Sequence, residues 1–131
     1  MMIRALRNQD GASAVEFAIG APFLLAVIYG LAQLAILFLA QAGLNHAVSE
    51  AARIASVYPR PTDASITAAV TDERFGLDAS RLSAPVLEET EVSGVTYLKV
   101  TLSYSADVNL LFFGTRTITM NDSKQIAVHS S

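Results

Sequence analysis

The side chains that could perform acyl-transfer chemistry are few and lie close together. His46, Ser49 and Glu50 supply the residue types of a Ser-His-acid triad. All three fall on one predicted helix, whereas a triad needs a base that a third group orients towards the nucleophile in a pocket. The chain has no cysteine, which excludes a thiolate nucleophile or metal ligand. We therefore expect no enzyme activity and no cofactor.

A second group with possible chemistry is the acidic cluster Glu88, Glu89 and Glu91. On a strand, Glu89 and Glu91 share one side and could bind a cation. The alternative is a solvated strand edge whose charges discourage pairing with another chain. The pattern favours the edge, and we predict no metal site.

The charge balance limits the possible partners. The 131 residues carry nine Lys and Arg against 12 Asp and Glu, a net charge of −3, and the basic residues do not cluster. A nucleic-acid-binding protein would show a basic patch. The sequence also lacks a glycine-rich phosphate-binding loop. We expect neither a nucleic acid nor a small-molecule substrate.

A long apolar segment dominates the first half of the chain. Between Phe17 and Ala40 no residue is charged, and Gln33 is the only strongly polar one. Because a helix needs roughly 20 apolar residues to cross a bilayer core, we predict a membrane-spanning helix at about 17–40.

The predicted helix continues beyond the membrane as an amphipathic stalk, residues 41–58, until Pro59 and Pro61 end it. Small residues recur on it every four positions and form a stripe that another element could approach closely. Packing against its own domain is the expected use of this stripe, which consists of Gly43, Ala47, Ala51 and Ala55.

The short polar segment 1–11 resembles a cytoplasmic leader. It carries Arg4 and Arg7, and because basic flanks stay in the cytoplasm, we expect the C-terminal part on the exported side. The alternative is a secretory signal cut near 40–42, but the apolar run is about twice the usual length of a signal core.

Two residues of the apolar segment need an explanation. Glu16 stands at its edge, where a carboxylate is costly unless it is paired or reaches water. It could lie at headgroup level, favoured by the positive end of the helix dipole, or it could act in assembly. Pro22 removes one backbone hydrogen bond, and it could simply bend the helix or melt it locally when subunits pack.

The pattern of residues 59–131 indicates a small domain. A short helix at about 63–75 would be capped by Thr62 or Asp63 and ended by Gly76. Apolar residues then alternate with polar ones, which indicates strands, and Ser93-Gly94 is a hairpin turn. The core-facing residues predicted for three strands are Leu82, Ala84 and Val86; then Leu98, Val100, Leu102, Tyr104, Ala106 and Val108; then Ile118, Met120, Ile126 and Val128, with a possible break at 121–123.

The predicted fold is therefore α+β. A long N-terminal membrane-spanning helix continues as an amphipathic stalk, and a small domain with a short helix and a three-stranded antiparallel sheet follows. Four consecutive apolar residues, Leu110 to Phe113, interrupt the alternation. Either this loop folds back onto the helix or it forms an exposed contact patch.

The residues GASAVEF at 11–17 resemble the processing site of type IV-like prepilins. There, cleavage follows a glycine, and the mature chain carries glutamate at its fifth position and then an aromatic residue. The wider pattern, GASAVEFAIGAPFLL, the uncharged run and HAVSEAARIAS, is similar to the TadE-like pseudopilins of tight-adherence (Flp) pili. In that family an AVEFA block, a proline soon after it and an AAR element recur. The resemblance is close over roughly 12–57.

The resemblance implies cleavage by a prepilin peptidase between Gly11 and Ala12, which places Glu16 and Phe17 at the fifth and sixth mature positions. Glu16 would neutralise the Ala12 amine of a neighbouring subunit. The implied partners are the membrane, the peptidase, other pilins and the pilus assembly machinery.

The expected function is that of a structural minor pilin of the inner membrane, acting in pilus initiation, assembly or at a fibre end and supporting adhesion. The alternative is an unprocessed single-pass anchor that presents a small protein-binding domain.

Overall fold

The computed structural model describes residues 3–72, 75–111 and 113–128, with side chains from residue 11 onward. In chain order the elements are helix α1 (Ile3–Ala55), helix α2 (Asp63–Asp72) and strands β1 (Val86–Val92), β2 (Val95–Asn109) and β3 (Thr115–Val128). This architecture confirms the predicted α+β class with one long helix, one short helix and a three-stranded antiparallel sheet.

Helix α1 has 53 residues and continues through Pro22 without a break. It begins at Ile3, so residues 3–10 are helical with the rest. At 1.5 Å per residue its length is about 80 Å. At its end the Ser56 hydroxyl donates to the Arg53 carbonyl at 2.6 Å, three residues before Pro59.

Helix α2 is capped by Thr62, whose hydroxyl accepts a hydrogen bond from the Ser65 amide at 3.3 Å. Its buried residues, Ile66 and Val70, belong to the same core as the stalk. Among the described residues the helix extends to Asp72, and Phe75 lies in a turn; residues 73 and 74 lie outside the described ones. Gly76 lies in a turn with φ of 73°, a conformation that suits glycine.

The sheet has the order β1-β2-β3, so β2 is central. The pair Val92–Val95 closes the first hairpin over Ser93 and Gly94. Both turn residues have positive φ, 54° and 80°, as a two-residue type I′ turn requires. The predicted hairpin turn is therefore confirmed.

One face of β2 packs against the stalk half of α1 and forms the core. All six residues predicted for this face are buried: Leu98, Val100, Leu102, Tyr104, Ala106 and Val108. Strand β3 pairs with β2 without interruption through Asn121, Asp122 and Ser123. The sequence left a break open there; the continuous pairing excludes it.

The first strand differs from its predicted face. Val86 lies opposite Thr101 and is 52% exposed, and Ala84 is exposed too, whereas Leu87, opposite Val100, packs on the core. Leu82 bridges to Tyr104. The segment from Leu82 to Leu87 has one residue more than the segment of β2 between their partners Tyr104 and Val100. This extra residue, beside Pro85, shifts the alternation by one and turns Val86 outward.

Candidate assembly surface of the long helix

The predicted processing residues lie in a regular, exposed stretch of α1. Gly11, Ala12, Glu16 and Phe17 are all helical and exposed, and Phe17 is 74% exposed. Residues four apart share a helix face, so the Ala12 backbone and the Glu16 side chain lie one turn apart on the same side. A Cβ added at Gly11 would meet no atom within 4 Å. No other element of the part of the chain that the structure describes covers this site.

From Gly11 to Leu39, α1 exposes a nearly continuous apolar surface. Among the described residues, α1 is the one helix that is long and apolar enough to cross a membrane. A soluble monomer would rarely expose so large an apolar patch, and a bilayer would cover it. Pro22 is exposed within this surface. The large exposed side chains are Val15, Phe17, Ile19, Phe23, Leu24, Leu25, Val27, Ile28, Leu31, Leu34, Ile36, Phe38 and Leu39.

The small-residue stripe of the stalk lies inside the protein's own core. Gly43, Ala47, Ala51 and Ala55 are all buried, the alanines at 1% exposure or less. A Cβ at Gly43 would lie 2.3 Å from the carbonyl oxygen of Phe75. These residues let the domain approach the helix closely; they are not available to another subunit in this conformation.

The polar face of the stalk shows no triad geometry. The Arg53 guanidinium binds Glu50 with its Nε 2.9 Å from Oε2, and this hydrogen bond lowers the pKa of the Glu50 carboxyl. The Ser49 hydroxyl accepts a 3.4 Å contact from Lys124 Nζ. His46 is exposed. His129, the second histidine, lies outside the described residues.

The carboxylates of β1 lie at a sheet edge. Glu89 pairs with Arg60, which also binds Asp63 at 3.2 Å. Glu88 lies opposite Lys99. Within the described ranges no group of three His, Cys, Asp or Glu residues could hold a metal ion. The structure therefore shows an ion-paired, solvated edge.

The β2–β3 loop lies beside the apolar half of α1. The sequence pattern alone left the position of this loop open. A cleft of about 300 Å³ separates the loop from α1, lined by Tyr29, Gln33 and Leu37 of the helix and by Leu110 and Leu111 of the loop, among others. The loop is closed by its own backbone: the Leu110 amide donates to the Gly114 carbonyl at 2.8 Å. Both alternatives hold in part, since Leu110, Leu111 and Phe113 all line the cleft and all three side chains are exposed. Phe112 lies outside the described residues.

Comparison with known proteins identifies one similarity. Residues 11–53 match the model of a family described as TadE-like protein. No curated protein and no solved structure matches the chain. The match confirms the TadE-like resemblance for the long helix, and residues 54–131 lie outside it.

Proposed function

We propose that this chain is a minor pilin of a tight-adherence type IV-like pilus, processed after Gly11. The observation that carries the proposal is where the family match begins. It starts at Gly11, five residues before Glu16, the only Asp, Glu, Lys or Arg between that glycine and Glu50. A TadE-like family supports a pilus component; processing and the role of each residue are our proposal.

Cleavage would place a charged amine beside Glu16. Ala12 and Glu16 lie one helical turn, about 6 Å of rise, apart on one face. In the membrane both charges can reach headgroups and water. In a fibre the neighbouring helices strip the water away, and an unpaired charge then becomes costly. We propose that the Ala12 amine of a neighbouring subunit compensates Glu16, with Phe17 packing beside this pair.

The exposed apolar surface of α1 would serve twice. It first holds the protein in the inner membrane, with the leader 1–11 in the cytoplasm and residues 59–131 on the exported side. It then packs against the helices of other pilins. The domain on the stalk would crowd a densely packed shaft, so we place the protein at initiation or at a fibre end, where it would support adhesion.

Processing can be tested with two matched glycines of α1. In a host with the cognate prepilin peptidase, the mature chain should begin at Ala12, and Gly11→Ala should leave the precursor uncut. Gly20→Ala is the control, because a Cβ at either glycine meets no atom within 4 Å, so both variants should fold alike. Intact-mass analysis measures the outcome. Uncut wild-type chain beside an active peptidase would favour the anchor alternative.

Assembly is tested separately at Glu16. Glu16→Gln keeps the shape and removes the charge, and Glu16→Ala removes both. If charge pairing drives assembly, both variants should insert and be cleaved but lose co-purification with pilus components. Normal co-purification of both would leave Glu16 as a headgroup-level residue and refute the pairing.

A further inference from the structure

The β2–β3 hairpin is longer than the stalk on which it packs. The stalk part of α1, residues 41–55, rises about 22 Å, whereas the 15 residues of β2 extend about 50 Å. At one end Val128 lies near Ala55, where both line the same small depression. The other end of the hairpin must therefore extend past the stalk, along the apolar part of the helix.

The contacts of the loop locate that end. Leu110 and Leu111 line the cleft with Ala26, Tyr29 and Gln33. Leu111 also lines a second depression that reaches Pro22. These helix residues lie within the uncharged run 17–40. If α1 crosses a membrane through this run, the loop lies at membrane depth.

The charges of the hairpin indicate where water begins. Asp107 binds Arg81 at 3.0 Å and accepts a hydrogen bond from Thr117 at 2.7 Å. The adjacent Val108, which lies opposite Arg116, lines the cleft with Leu37. A bilayer core of about 30 Å corresponds to about 20 helical residues. If the spanning part of α1 begins at Phe17, it therefore ends near Ile36. Water would then begin at the level of Leu37, where these charges lie.

The loop itself suits a hydrocarbon environment. The described residues Leu110, Leu111 and Phe113 are 42%, 51% and 83% exposed. The Leu110 amide donates to Gly114 at 2.8 Å, and the Leu110 carbonyl accepts from the Phe113 amide at 2.6 Å. These two hydrogen bonds within the turn lower the cost of moving its backbone out of water.

We propose that the hairpin tip, defined by Leu110, Leu111 and Phe113, inserts into the exported-side leaflet beside α1. Its partner is the acyl chains of the lipids that surround the helix at the same level, because the tip continues the lipid-facing surface of α1. The tip flanks the uncharged run from about Ala26 to Leu37, so lipid alone surrounds a shorter part of α1 than residues 17–40. This inference concerns the membrane-inserted protein and holds equally for a pilin precursor and for a plain anchor.

The composition of the chain permits a direct test, because it contains no tryptophan and no cysteine. Phe113→Trp introduces a single fluorophore at the tip. Val92→Trp is the matched control, an exposed apolar residue at the opposite end of the sheet. The full uncleaved chain is reconstituted in phosphatidylcholine–phosphatidylglycerol vesicles, with and without lipids that are brominated on their acyl chains. Far-UV circular dichroism checks that both variants fold.

We expect blue-shifted emission and several-fold stronger bromine quenching for Phe113→Trp than for Val92→Trp, independent of the protein-to-lipid ratio. Equal, weak quenching of both would overturn the proposal. So would blue-shifted emission that resists bromine and grows with protein density, because it would mean that a second copy covers the tip.

A second variant keeps the test independent of tryptophan. Phe113→Cys carrying a nitroxide should collide more with oxygen, which concentrates in the bilayer, than with a water-soluble nickel chelate. The reverse preference would place the tip in water and refute the insertion.

Discussion

Replacing Gly43 by alanine has two opposite effects on the free energy of unfolding, and their sizes can be compared. Within a helix, alanine is favoured over glycine by about 1 kcal/mol. The new Cβ, however, would lie 2.3 Å from the Phe75 carbonyl oxygen and 3.2 Å from Leu77 Cγ, whereas ordinary contact begins at 3.4 Å. A backbone carbonyl cannot rotate away as a side chain can, so the segment around Gly76 must move by about 1 Å or the helix must shift.

Overpacking of this kind costs about 1–3 kcal/mol. The obstructing atom at Gly43 is a backbone oxygen, so the cost should lie in the upper part of this range, about 2–3 kcal/mol. After the gain of about 1 kcal/mol in helix propensity, we expect Gly43→Ala to lower the free energy of unfolding by about 1–2 kcal/mol. For a domain of this size the melting temperature should fall by about 5–10 °C.

The assay is thermal unfolding of the full chain in detergent micelles, followed by circular dichroism. Asn45→Ala is the matched control: Asn45 lies two residues away on the exposed face, so this change gains helix propensity without a new contact and should leave the melting temperature equal or higher. If Gly43→Ala were as stable as Asn45→Ala, the packing of segment 75–77 against the stalk would be loose, and the reasoning would be wrong.

Two further predictions concern the domain. Leu98 is fully buried in the centre of the sheet, so Leu98→Ala should destabilise the chain by about 2–5 kcal/mol, whereas Val92→Ala at the exposed turn should change stability little; equal effects in the same melting assay would contradict the core assignment. Hydrogen bonds from the Ser80 hydroxyl at 2.7 Å and the Ser80 amide at 2.9 Å lower the pKa of Asp78 below its ordinary 3.8. Because the folded-state pKa is depressed, this stabilisation is present above pH 3.8 and is lost as the pH falls through the lower folded value. Asp78→Asn should therefore lose less stability than the parent on acidification, and parallel acid profiles of the two proteins would refute the role of this turn.

Several elements could be predicted because their signals are local. The six alternating residues from Leu98 to Val108 match the two-residue period of a half-buried strand, and all are buried. Ser93 and Gly94 tolerate the positive φ of a tight hairpin turn. The uncharged run after Glu16 indicates a spanning helix from length and hydropathy alone. For each, the residues that carry the signal also form the element.

Other features depend on partners distant in the chain. The outward face of Val86 follows from one extra residue beside Pro85, which is visible only when Leu82 and Leu87 are matched to their partners on β2. Arg60, which lies between the two prolines that end the predicted stalk, binds Glu89, 29 residues away. The local alternation of apolar and polar residues therefore could not predict either contact.

By itself, the sequence determined that the chain has one long apolar helix, a glycine and a glutamate where its apolar part begins, and a small sheet after it. Composition and period carry this information because they act within a few turns or strand residues. Only the tertiary structure decided how these parts are aligned. The small-residue stripe beginning at Gly43 contacts the domain, and the apolar tip at Leu110 lies beside Ala26 of the long helix. The physical reason is the difference in rise per residue: a strand extends about twice as far per residue as a helix, so a hairpin packed on the stalk must extend beyond it.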